Sequence, residues 1–144
     1  LPANKVKTRQ AIRKALDHLG CPSMGARALI ISDLPEGKGM ASSTADIVAA
    51  CKAVAQMVGQ TLSAGQISRI AGQIEPSDGI MYPGVVCYDH RRCRLIERLG
   101  ESPPFEILAV DLGGAGMYHR DRAAPYCGDP GAAPAGAAFG GCGG

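Results

Sequence analysis

A glycine-rich loop between two segments of different periodicity constrains this chain more than any other feature. Residues 26–32 form an apolar, strand-like run, and residues 46–58 are apolar with helical spacing. In the loop between them, Gly37 and Gly39 can adopt positive φ and let the backbone approach an anion closely. Because the first N–H groups of a helix are unpaired and its dipole is positive there, the loop predicts a phosphate-binding site.

Polar side chains of this loop are suited to the same task. Lys38 supplies a mobile cation, and the hydroxyls of Ser42, Ser43 and Thr44 can cap the helix, bind phosphate oxygen or ligate Mg²⁺. The loop is not a Walker A motif, because Gly37-Lys38 is followed by glycine rather than by Ser or Thr. From the residues alone, an ordinary glycine turn before a serine-capped helix remains the alternative.

The order P-x-G-x-G-[LM]-x-S-S resembles the phosphate-binding motif of the GHMP kinases, the family of galactokinase, homoserine kinase, mevalonate kinase and phosphomevalonate kinase. Ala41 and Thr44 depart mildly from the usual pattern. The resemblance implies that this loop binds the triphosphate of ATP and that Ser42 or Ser43 ligates Mg²⁺. The implied nucleotide-binding residues are Pro35, Gly37, Lys38, Gly39, Met40, Ala41, Ser42, Ser43 and Thr44.

A second motif is the run Ile74-Glu75-Pro76-Ser77-Asp78, whose aspartate stands 35 positions after Ser43. In several GHMP kinases, an aspartate in such a turn lies beside the acceptor hydroxyl. The resemblance therefore implies that Asp78 is the general base or hydrogen-bond acceptor and that Glu75 ligates the metal ion or fixes the turn. The residues by themselves also fit a turn with an Asx hydrogen bond.

The second motif and the later Tyr88-Asp89-His90 narrow the resemblance to the L-threonine kinase branch of the family. That branch makes O-phospho-L-threonine for cobalamin biosynthesis. The expected activity is ATP- and Mg²⁺-dependent phosphorylation of a small hydroxyl substrate. A homoserine or isoprenoid-pathway kinase is one alternative, and a non-catalytic nucleotide-binding module that retains the fold is another.

The resemblance implies an α+β domain in which a small mixed sheet carries helices on one face, as in the N-terminal half of GHMP kinases (ribosomal protein S5 domain 2-like). Periodicity predicts helices over residues 4–19, 43–58 and 63–73 and strands over residues 26–32, 80–88, 92–99 and 105–112. We assign residues 1–114 to this domain, incomplete at its start. Residues 115–144, rich in Gly, Ala and Pro, are expected to form a disordered or aberrant tail.

Composition limits the partners that we expect. The net charge is only +2, which does not indicate a nucleic-acid or membrane partner, and no run of 18 apolar residues is present. The six cysteines include no C-x-x-C pair, which disfavours a zinc site, and the start of the sequence lacks the pattern of a signal peptide. We therefore expect reduced cysteines, among them a buried Cys51, in a cytoplasmic protein with a small-molecule substrate.

Overall fold

Three helices followed by a β-hairpin make up the described part of the chain. The computed structural model describes residues 5–110. Its elements are α1 (Val6–His18), α2 (Ser42–Met57), α3 (Ala64–Gly72), β1 (Val85–Asp89) and β2 (Arg94–Gly100). Each helix agrees with its predicted range to within two residues at either end. No helix among the described residues has the length and apolarity needed to cross a membrane.

The helices share one apolar core. Its buried members are Ala11, Ala15 and Leu16 of α1, Ile47, Val48, Cys51 and Val54 of α2, Ile67, Ile70 and Ala71 of α3, and Met81. The expected burial of Cys51 is confirmed, and burial raises the pKa of its thiol to about 11. Val6 of α1 is apolar but 51% exposed, and it lines a cavity beside the first turn of α1.

The hairpin packs against α3 through a short hydrogen-bond chain. The hydroxyl of Ser68 donates to the carbonyl oxygen of Cys93, so the Tyr88 hydroxyl, 2.7 Å away, donates to Ser68 in turn. Burial raises the pKa of Tyr88, which keeps this donor protonated. The hydroxyls of Ser68 and Tyr88 and the carbonyl oxygen of Cys93 therefore each have a hydrogen-bond partner, as polar groups in a protein interior require.

The sheet among the described residues consists of β1 and β2 alone, paired antiparallel. Helices together with this hairpin confirm the expected α+β class. The larger mixed sheet, with helices on one face, remains a prediction. The assignment of residues 115–144 to a tail lies outside the described residues, as do residues 111 and 112 of the last predicted strand.

Two predicted strands were wrong where the structure describes them. Residues 26–32 and 105–110 have no regular secondary structure. Leu29 is 84% exposed and Ile31 is 85% exposed, whereas Ala28 and Ile30 are half-buried, so burial alternates with period two over residues 28–31 of the first run. A strand is stabilised by hydrogen bonds to a neighbouring strand, and no described segment pairs with either run.

Asp89 closes the hairpin turn, and its ionisation is expected to matter for stability. Its Oδ1 accepts from the backbone N–H groups of Arg91 and Arg92, each at 3.0 Å. The Arg92 N–H is the main reason that the pKa of Asp89 is held below its ordinary value. A carboxyl whose pKa is lowered on folding stabilises the fold above its unfolded pKa and loses that contribution as pH falls.

We therefore expect Asp89→Ala to lower the melting temperature at pH 6 and to differ less from the wild type as pH falls below about 4. Thermal melts from pH 3 to 7 would measure this. Glu97→Ala, which removes an exposed carboxylate from the same hairpin, is the control and should give a smaller, flatter difference. An Asp89→Ala difference that grows on acidification would contradict the assignment.

Candidate functional site

The loop before α2 alternates in backbone handedness. Gly37, Gly39 and Ala41 have φ of +70°, +73° and +53°, whereas Lys38 and Met40 between them remain at negative φ. Alternation of this kind turns successive N–H groups toward one concave surface, which is the geometry of an anion-binding nest. An added Cβ at Gly37 or Gly39 would meet no atom within 4 Å, so these glycines are required by conformation rather than by space.

The N-terminus of α2 lies directly after this concave surface. Its N-cap residue is Ala41, which has no side-chain acceptor, so the expected cap by a serine or threonine hydroxyl is not formed. The first turn contains no acidic residue either. The leading N–H groups of α2 and the positive end of its dipole therefore remain available to an anion from outside the helix.

Lys5, at the start of α1, joins the loop to α2. Its ammonium group donates to Glu36 of the loop and to Oδ2 of Asp46 at 2.8 Å. These two contacts, Asp46 first and Glu36 second, raise the pKa of Lys5 above its ordinary value. The lysine therefore stays charged and holds the loop against the first turns of α2.

Glu75 connects the second motif to the same end of α2. The Ser43 hydroxyl donates to Oε1 of Glu75, and the Lys7 ammonium donates to Oε2. Both carboxylate oxygens are thus engaged, one by the predicted phosphate loop and the other by α1. The sequence-predicted residues Ser43 and Glu75, 32 positions apart, are brought into direct contact.

The turn that follows Glu75 is fixed from two sides. The N–H of Ser77 donates to the carbonyl oxygen of His90 in the hairpin turn at 3.1 Å. This hydrogen bond links the second motif to the later Tyr88-Asp89-His90. The N–H of Asp78 lies 3.4 Å from the Oγ1 of Thr44 in the first turn of α2. Asp78 is therefore placed next to α2 by its backbone, and its own side chain is exposed.

One cavity lies at this end of α2, and a second lies beside Asp78. One, of about 320 Å³, is lined by Gly37, Ser42 and Ser43 together with Lys5, Lys7 and Asp46. The other, of about 760 Å³, is lined by Asp78 with Tyr82, Tyr88 and His90 among others. Of the predicted nucleotide-binding residues, Gly37, Ser42 and Ser43 line the first cavity, and the predicted base Asp78 lines the second. The other predicted nucleotide-binding residues do not line the first cavity: Pro35, Lys38, Gly39, Met40, Ala41 and Thr44.

Lys5, Lys7 and Asp46 are polar residues of this site that the sequence did not indicate. Their roles depend on contacts across 31 to 68 positions of sequence, which no local pattern signals. The sequence identified the adjacent hydroxyls of the loop as candidate site residues. The charged side chains around them were identified only from the structure.

The donor set at Ser43 and Glu75 suits magnesium. A serine hydroxyl has a single proton, and Ser43 gives it to Glu75, so its oxygen presents only lone pairs to the cavity. Mg²⁺ binds oxygen, usually through one or two protein groups while keeping waters and phosphate oxygens in its remaining positions. No cluster of three or more His, Cys, Asp or Glu side chains occurs within residues 5–110, so a cage built wholly of such ligands is not present there.

Comparison with known proteins gives the following similarities. Residues 4–85 match the family described as GHMP kinases N terminal domain. The chain is 30% identical over 107 residues to an L-threonine kinase of Salmonella typhimurium, covering 72% of this chain and 36% of that protein. It is 28% identical over 107 residues to an L-threonine kinase of Citrobacter freundii, covering 37% of that protein. No solved structure matches the chain.

The left-handed conformation of Ala41 gives a stability prediction. An L-residue there costs about 1–2 kcal/mol, and glycine avoids that cost but loses roughly 0.5–1 kcal/mol in entropy. We therefore expect Ala41→Gly to leave the free energy of unfolding unchanged or raise it by up to about 1 kcal/mol. Ala41→Val should lower it by at least about 1 kcal/mol, since a branched side chain tolerates positive φ poorly.

Urea unfolding at neutral pH would measure both variants. Ala49→Gly, at an exposed position inside α2, is the control and should destabilise by about 1 kcal/mol, the usual cost of glycine in a helix interior. If Ala41→Gly destabilised as much as Ala49→Gly, the left-handed conformation would be wrong.

Proposed function

Because the chain belongs to the GHMP kinase family, we propose that it is the nucleotide-binding part of an ATP- and Mg²⁺-dependent kinase that phosphorylates L-threonine on its hydroxyl group. The family membership rests on the match over residues 4–85, and the substrate is suggested by two relatives of that activity. The chain spans 36% and 37% of the length of these relatives, so the proposal concerns the activity of a whole protein of this kind.

The observation that carries the proposal is the uncapped N-terminus of α2 with Ser43 hydrogen-bonded to Glu75. A triphosphate requires N–H donors, a positive field and a metal ion, because phosphoryl transfer is catalysed mainly by positioning and charge stabilisation. The alternating loop and the first turn of α2 supply the donors and the field. Ser43 lines the same cavity, and its hydrogen bond to Glu75 places carboxylate oxygen next to it as a second potential ligand.

In this proposal Ser43 and Glu75, with Ser42 adjacent, would hold Mg²⁺. The ion would supply positive charge that stabilises the negative charge developing on transfer. The loop from Pro35 to Thr44 binds the phosphates. Its backbone provides most of the contacts, and Lys38 adds a cation.

Asp78 is proposed to orient or deprotonate the acceptor hydroxyl. Asp78 lines the 760 Å³ cavity, which has room for an amino acid. Tyr82 and Tyr88, whose ring centroids are 5.8 Å apart, contribute an aromatic wall to that cavity.

Two alternative functions give different results in an activity assay. Phosphorylation of homoserine instead of threonine would favour a homoserine kinase. Nucleotide binding without turnover would favour a non-catalytic nucleotide-binding module.

The two-layer fold with a mixed sheet, S5 domain 2-like, is part of the same proposal. Residues 26–32 line a cavity of about 540 Å³ together with residues of α1 and α2, and within this run Ala28 and Ile30 are half-buried while Leu29 and Ile31 are exposed. That placement is where a sheet strand over the helices would lie.

Nucleotide binding is tested by Gly39→Ala. A Cβ at positive φ shifts the backbone of the concave loop, so we expect MgATP affinity measured by calorimetry to fall at least tenfold. Gly20→Ala is a matched control: Gly20 ends α1 at φ +76°, also with no atom within 4 Å of an added Cβ. The control should pay the same conformational cost and keep its affinity. Equal affinities in both variants would place the phosphates elsewhere.

The base role is tested by Asp78→Asn in an assay of threonine-dependent ADP release. General base catalysis typically contributes about 10²- to 10⁴-fold, so turnover should fall by that factor while MgATP affinity is kept. Asp17→Asn, an exposed carboxylate of α1, is the control and should have no effect. Unchanged turnover in Asp78→Asn would exclude the role of general base. The same assay with homoserine in place of threonine would test which acceptor is used.

A further inference from the structure

Lys7 contacts the proposed metal-binding pair but has no part in the roles assigned so far. Its ammonium group donates to Oε2 of Glu75, while Ser43 occupies Oε1. The side chain of Glu75 is 16% exposed, so its charge is largely removed from water. A carboxylate in that position needs a partner of opposite charge, and the Lys7 ammonium provides one.

A metal ion and this ammonium group would compete for the same oxygen. Ser43 can keep donating to Oε1 while its lone pairs face a cation. At Oε2, however, a divalent cation would take the position that the ammonium holds. Binding of the metal to Glu75 therefore requires Lys7 to move.

Lys7 is able to leave at low cost, in contrast to Lys5. The side chain of Lys5 is 19% exposed and is held by two carboxylates, whereas that of Lys7 is 54% exposed and is held by one. A half-exposed lysine pair contributes little net free energy, and its long stem lets the ammonium reach a new partner.

We propose that Lys7 is an exchangeable counter-ion of the metal site: it neutralises Glu75 in the metal-free state and gives up Oε2 to the divalent cation that arrives with the nucleotide. The inference rests on the proposed function. Lys7 lines the same 320 Å³ cavity as Gly37, Ser42 and Ser43, so the displaced ammonium remains beside the proposed phosphate position. There it pairs with the phosphates.

This exchange links metal binding to nucleotide binding. Without nucleotide, a divalent cation must displace Lys7 and leave the ammonium without an anion. With nucleotide, the phosphates replace Glu75 as the partner of Lys7. The metal site is therefore expected to discriminate against bare divalent cations.

The test measures Mn²⁺ binding by electron paramagnetic resonance on the full 144-residue chain, with and without a non-hydrolysable ATP analogue. We expect Lys7→Met to tighten binding of bare Mn²⁺ roughly three- to tenfold, because the competing cation is gone. The enhancement of Mn²⁺ affinity by the analogue should shrink correspondingly. Lys7→Gln is a second neutral variant, and Lys7→Arg keeps the charge and should behave like the wild type.

Two controls separate this effect from a general change in charge. Lys14→Met removes the same charge from α1, together with a 3.0 Å hydrogen bond to Gln73, and should leave Mn²⁺ binding unchanged. Glu75→Gln added to Lys7→Met should abolish the gain. Melting temperatures of all variants would confirm that each is folded.

Unchanged or weaker binding of bare Mn²⁺ in the two neutral variants would overturn the exchange. A gain that survives Glu75→Gln would overturn it too, since the metal would then lie elsewhere. Failure of the analogue to bind the wild type would count against the proposed function itself. Binding of the analogue with no change in bare Mn²⁺ affinity would count against the role of Lys7 alone.

Discussion

The first turn of α2 leaves its backbone N–H groups without an acceptor from its N-cap residue, and three other segments of the chain meet around that end of the helix. The loop approaches through Glu36, α1 through Lys5 and Lys7, and the later turn through Glu75. A helix end that is partly buried normally obtains a capping side chain. Here the neighbours contribute charged groups around the end and leave the N–H groups themselves for a ligand.

The balance of charge in this region explains why a metal ion belongs in the proposal. Glu36, Asp46 and Glu75 place three carboxylates beside the cavity, and Lys5 and Lys7 contact all three. Ammonium groups used in this way offer little net attraction to the four negative charges of ATP. A divalent cation adds the missing positive charge where phosphate oxygen and carboxylate meet. What the cavity can bind therefore depends on which groups the two lysines contact, and not on the number of lysines.

Helices and their inner faces were predictable because they depend on nearby residues. Ile47, Cys51 and Val54 recur at helical spacing, and that spacing alone identified the side of α2 that packs into the core. The glycines at 37 and 39 likewise indicated positive φ, since only glycine adopts it without strain. The left-handed Ala41 was not predictable, because its conformation follows from the glycine loop before it and not from its own preference.

The two strand predictions failed, and the charged contacts were not predicted, because both depend on residues that are distant in sequence. Residues 26–32 have the composition of a strand, but the hydrogen bonds that would make them one come from a neighbour distant in sequence. The contacts of Lys5 and Lys7 have the same character: each lysine looks like an ordinary surface residue of an amphipathic helix until the partner carboxylate is known. Long-range pairing decides both cases, and a single sequence contains no signal for it.

Adjacent residues of one helical turn carry the two contacts that join the phosphate loop to the second motif. Ser43 reaches the side chain of Glu75, and the hydroxyl of Thr44 meets the N–H of Asp78. Since residues 43 and 44 share a rigid backbone, α2 cannot tilt without moving the proposed nucleotide ligands and the proposed base together. Phosphoryl transfer depends on precise alignment of donor and acceptor, and a misplacement of about 1 Å can cost about 10²-fold in rate. In the proposed reaction, a helix that contacts both sides would keep that alignment through a single element.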